Sequence, residues 1–178
     1  MRMFFDDDDP KDADACPAVR YLRREPENLV VNGYRSWILG LVERDAAHWE
    51  QAWNAHARSL GSEAARIALD GLQELVRTLG VCATCPLRFH KPDTGHLCRD
   101  ECLILGLIAG LQHGDEDAAW QSATGLSCAA KCGQVMAASG TYAFSLKHAD
   151  RVLLPVPAAA IRDIELQSAQ PNANTTLH

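Results

Sequence analysis

Apolar residues recur at helical spacing along most of the chain. Leu29, Val30, Tyr34, Trp37, Ile38 and Leu41 mark one face of a helix over about 27–43, opened by Pro26 and Glu27. Asp45 is the expected N-cap of a second helix that reaches about Leu60. Trp49, Trp53, His56 and Leu60 form one stripe on it, read as core. Gly61-Ser62 separates it from a third helix with Ala64, Ala68, Leu72, Leu75 and Leu79 on its buried face, which Gly80-Val81 is expected to stop.

The stretch 82–111 organises the rest. A polar loop with Asp93-Thr94-Gly95 leads into residues 103–111, which are apolar on every side. Asp93 or Thr94 serves as N-cap, Asp100 and Glu101 sit early, and Gly114 is a stop signal, so the pattern predicts a central buried helix over about 97–113. Its apolar run is too short to span a bilayer. Asp115, Glu116 and Asp117 then open a long helix over about 116–147, paired antiparallel with the central one. Gly106 and Gly110 on the central helix leave room for a close neighbour. Gly125, Ala129, Gly133, Ala137 and Gly140 read as a flat packing stripe on the long helix. Pro155 and Pro157 break the pattern before a short final helix.

The expected fold is therefore all-α, a single-domain helical bundle of five to six helices over residues 17–166. Residues 1–16, with four consecutive aspartates, read as a disordered acidic tail, and 167–178 as a disordered polar tail. A chain of 178 residues with 47% hydrophobic content is long enough for a real core. A net charge of −6 with no Lys/Arg block argues against nucleic-acid binding through phosphate neutralisation. The opening Met-Arg-Met-Phe-Phe is too short for a signal peptide, which points to the cytoplasm, with no membrane segment. Stable disulfides are uncommon in that compartment.

Seven cysteines then need an explanation. Cys16 is the odd one and reads as a bystander. Cys82-x2-Cys85 is a chelating pair on a loop, and Cys98-x3-Cys102 and Cys128-x3-Cys132 each put two thiols on one helix face. In an antiparallel hairpin, Cys98 faces Cys132 and Cys102 faces Cys128, because both pairs are centred on residue 115, in the expected turn. Six thiols then converge: Cys82, Cys85, Cys98, Cys102, Cys128 and Cys132. Such a set suits an all-thiolate zinc, an iron–sulfur cluster or copper(I). Arg88, Arg99 and Lys131 would offset thiolate charge, and His90 and His96 are reserve ligands from the loop.

The expected function is an accessory, sensor or electron-transfer protein that binds a metal or iron–sulfur cluster and works with a protein partner. Two alternatives stand beside it. Cys82-x2-Cys85 followed by His90 resembles, over nine residues, the C-x2-C-x3-His of the all-helical alkylhydroperoxidases, which implies a dithiol oxidoreductase at Cys82 and Cys85. The twin C-x3-C pairs are similar to those of the small intermembrane-space chaperones, which implies a structural protein with inter-helix disulfides or buried cysteines. No G-x-S-x-G, Walker A, G-x-G-x-x-G or zinc-protease pattern is present.

Overall fold

The computed structural model describes residues 3–5, 17–83 and 86–169. Seven α-helices account for most of them: α1 (Glu25–Glu43), α2 (Ala46–Leu60), α3 (Ser62–Cys82), α4 (Arg99–His113), α5 (Glu116–Leu126), α6 (Cys132–His148) and α7 (Ala158–Ala169). A 3-10 segment, Pro17–Arg23, precedes α1. Two three-residue strands, β1 (Met3–Phe5) and β2 (Leu87–Phe89), pair in parallel with Met3 opposite Leu87. Part of the expected acidic tail is thus a strand; residues 6–16 and 170–178 lie outside the described residues.

Local signals explain most boundaries. Asp45 caps α2 by accepting from Ala47 N, and Asp115 caps α5 by accepting from Ala118 N. Gly114 closes α4 at φ +70°, a left-handed conformation that favours glycine. The expected stop at Gly80 fails: α3 runs on to Cys82 and ends at an extended Ala83. The helix gains there by burying Leu79 and Cys82.

Helix α4 is central. Leu103, Ile104, Leu107, Ile108 and Ala109 are wholly buried, and α1, α5, α6, α7 and β2 all pack against it. Helices α4 and α5 pack as an antiparallel hairpin, with Gly110 beside Ala119 and Gly106 beside Ser122. These glycines permit the approach, since a Cβ on Gly110 would sit 2.7 Å from Ala119 N.

The long helix over 116–147 is not continuous. It is two helices, α5 and α6, separated by an extended Ser127 and Cys128 and a 3-10 turn at Ala129–Lys131. Ser127 Oγ donates to Ala123 O, the same carbonyl that accepts the last backbone bond of α5 from Ser127 N. The break turns α6 away to pack on α3, where Gly71 lets the Tyr142 backbone approach. It also undoes the small-residue stripe. Ala129, Gly133 and Ala137 face solvent, and the buried face of α6 is Cys132, Val135, Ser139, Tyr142, Ala143 and Leu146. The aromatic stripe of α2 is likewise only partly core: His56 is buried, whereas Trp53 is exposed.

Among the described residues, no helix is long and apolar enough to cross a membrane.

Candidate metal centre at the start of the central helix

The chain between α3 and α4 is held by one buried carboxylate. Glu101, in the first turn of α4, is fully buried and pairs with the equally buried Arg35 of α1. Arg35 Nε donates to Glu101 Oε1 at 2.7 Å and Nη2 donates to Oε2 at 2.9 Å, a two-point fork. The same guanidinium donates to Thr94 O at 2.8 Å and to His96 O at 2.6 Å, so it also clamps the loop. Glu101 completes its set with two backbone donors, His90 N on Oε1 at 2.8 Å and Cys98 N on Oε2 at 3.0 Å. The second of these is half of a capping box in which Cys98, not Asp93 or Thr94, is the N-cap.

Asp100 does the same for the strand. It accepts from Arg88 N at 2.8 Å and pairs with Arg99 at 2.9 Å. The two carboxylates therefore seat β2 and the loop on the N-terminal end of α4, where the helix dipole favours negative charge.

This frame brings His90, Cys98 and Glu101 together. All three are buried, and one ligand atom from each lies within 4.8 Å of the others. His96 packs its ring edge-on to His90, with centroids 4.3 Å apart. Among the described residues, Tyr34 Oη and His96 Nε2 are buried without a hydrogen-bond partner. The Cys98 Sγ–H donates to Arg88 O at 3.4 Å. Burial, and then the negative Glu101 beside it, push the Cys98 thiol well above its ordinary pKa. Burial first, then the charges of Cys98, Asp100 and Glu101, push the Tyr34 phenol up as well.

The remaining predicted ligands are placed differently. Cys82 is buried at the end of α3, and its Sγ–H donates to Gln134 Oε1 at 3.5 Å. It thus lies beside the first turn of α6, which Cys132 opens. Cys132 is fully buried, with its sulfur 3.2 Å from Thr124 Oγ1 and 3.5 Å from Cys128 O. Cys102 and Cys128 are half-buried. Cys85 and Cys16 lie outside the described residues. Cys82, Cys98, Cys128 and Cys132 are free thiols.

Helix α5 ends at Leu126, so Cys128 is not on a helix face with Cys132. A four-sulfur zinc, with bonds of about 2.3 Å, holds its ligand atoms within about 4 Å of one another. Among the described residues no three sulfurs meet within 4.8 Å; the three-donor group there is His90, Cys98 and Glu101.

The cysteine spacing puts the thiols ahead of His90 and gives neither Glu101 nor Arg35 a place in the site; one local signal points to Glu101. Cys98-x-x-Glu101 has the spacing of a capping box, with a thiol in place of the usual hydroxyl. No family model, curated protein or solved structure matches the chain.

Proposed function

We propose that this protein binds a metal through thiol and imidazole donors at the start of α4 and acts as a metal-dependent accessory or sensor protein. The observation that carries this reading is the meeting of His90, Cys98 and Glu101, all buried, within 4.8 Å. The Arg35–Glu101 fork supports it, because it fixes the backbone at both His90 and Cys98 before any ion arrives. A Cys98 thiol with a raised pKa is a poor nucleophile at neutral pH, which weighs against dithiol catalysis there. A metal displaces the thiol proton on binding, so a raised thiol pKa does not bar it. Cys82 is buried, which also weighs against an exposed catalytic dithiol at Cys82 and Cys85. An accessory or sensor role calls for a protein partner that receives the metal or the signal.

The test is the metal and sulfide content of protein purified without oxygen, for the native chain and for Cys98→Ser. Stoichiometric metal that is lost in Cys98→Ser supports the reading. Iron with equimolar sulfide would replace it with a cluster. Metal-free protein that takes up none of zinc, iron or copper would overturn it.

A further inference from the structure

Resting on that metal-binding reading, the charges around the site narrow the ion. We infer that the ion is monovalent copper, held by Cys98 Sγ and an imidazole nitrogen of His90, with Glu101 withheld from it by Arg35.

The first step is donor accounting. A carboxylate has about four lone-pair sites on its two oxygens. Glu101 fills them with Arg35 Nε, Arg35 Nη2, His90 N and Cys98 N. For Glu101 to bind a metal, it would have to abandon the buried guanidinium, leaving a positive charge alone in the core at a cost that favours the pair. Of the three clustered donors, two therefore remain for an ion. Structural zinc takes four protein ligands and catalytic zinc three, whereas soft copper(I) is selected by thiolate and accepts imidazole.

The second step is charge. Arg35 neutralises Glu101 and Arg99 neutralises Asp100. Loading the site converts Cys98–SH to thiolate, adding one negative charge to a buried position. A monovalent ion restores neutrality; a divalent ion leaves a net positive charge that burial penalises. The balance is simple. The S–H bond breaks, a sulfur–copper bond forms, and one proton leaves to solvent for each copper(I) bound.

Tyr34, the residue before Arg35 on α1, is fully buried, and among the described residues its Oη has no hydrogen-bond partner. His96 Nε2, also buried without a partner, is the nearest candidate for a third donor and is neutral, so the charge argument stands with or without it.

The experiment uses the full chain, reduced and free of oxygen, titrated with copper(I) against a chromogenic copper(I) chelator. Because other thiols also bind copper(I), the readout is the first, tightest equivalent. It should release one proton. It should weaken at least tenfold in Cys98→Ser and in His90→Ala, and survive in the triple variant Cys82→Ser/Cys128→Ser/Cys132→Ser. Cobalt(II) serves as the divalent probe. If cobalt binds tightly with sulfur charge-transfer bands lost in Cys98→Ser, while copper(I) shows no Cys98-dependent equivalent, the copper inference falls and the metal-binding reading stands. If the tightest copper survives Cys98→Ser and is lost in the triple variant, the site is misplaced. If neither ion binds, both readings fall.

Discussion

Arg35 and Glu101, on helices α1 and α4, form a two-point ion pair from which solvent is wholly excluded, with N–O distances of 2.7 and 2.9 Å. Neither is a surface charge that happens to find a partner. Removing Arg35 would leave Glu101 charged and buried and release the carbonyls of Thr94 and His96. Arg35→Met is expected to destabilise the fold by roughly 3–5 kcal/mol in urea denaturation. Arg35→Lys should recover only part of that, because an ammonium cannot serve both oxygens and two carbonyls in one plane. Full recovery by lysine would mean that charge alone, not the fork, holds the loop.

His56 sets the acid limit. Its Nδ1 faces Ala52 O at 2.8 Å and its Nε2 faces the Tyr142 hydroxyl at 3.0 Å, so the neutral ring fits with Nδ1–H donating and Nε2 accepting. Burial lowers its pKa from 6.5 to about 4. Above pH 6.5 neither the folded nor the unfolded form is protonated there, and the residue adds no pH dependence. Between pH 6.5 and about 4 the unfolded chain takes a proton that the folded one refuses, so stability falls as pH falls, by about 3 kcal/mol in all. Urea midpoints across that window should decline more steeply for the native protein than for His56→Gln. Parallel slopes would remove His56 as the cause.

Gln112 latches the segment after α6. It is buried, donates through Nε2 to Ala143 O at 3.2 Å and Arg151 O at 3.0 Å, and accepts from Leu153 N at 2.8 Å. Gln112→Leu leaves these backbone groups unsatisfied and is expected to cost roughly 2–4 kcal/mol. Amide exchange at Leu153 should accelerate beyond the global change; unaltered protection there would show that the latch is elsewhere.

Two glycines should respond in opposite senses. A Cβ on Gly71 would lie 2.6 Å from Tyr142 N, a backbone atom that cannot swing away. Gly71→Ala is therefore expected to destabilise by about 1–3 kcal/mol. On Gly140 the nearest atom is Phe144 Cε2 at 3.8 Å, an ordinary contact. Gly140→Ala should stabilise by up to about 1 kcal/mol through helix propensity. Thermal melts of both variants check the pair, and a loss at Gly140 would restore the packing role that the small-residue spacing suggests.

The features legible in the sequence were those written locally. Asp45 and Asp115 announce their helices within three residues, and 103–111 announces its burial by lacking a polar face. The features that escaped depend on distant chain. Arg35 looks like any charge on an amphipathic helix until Glu101, 66 positions on, arrives beside it. Ser127 carries no strong stop signal, yet α5 ends before it at Leu126. The six-thiol site leaned on that helix continuing, since periodicity alone assigned Cys128 to a face.

The reach of the Arg35 clamp also dictates when the site can exist. The α4–α5 hairpin closes around one short turn, an event of the fast, local kind. The guanidinium reaches Thr94, His96 and Glu101 across 59 to 66 residues, and only after α1 has docked beside α4. His90 and Cys98 are thus aligned only once α1 lies beside α4. On the proposed metal-binding reading, a chain still emerging from the ribosome would offer its cysteines singly, and selectivity for an ion would begin only when that long-range contact is made.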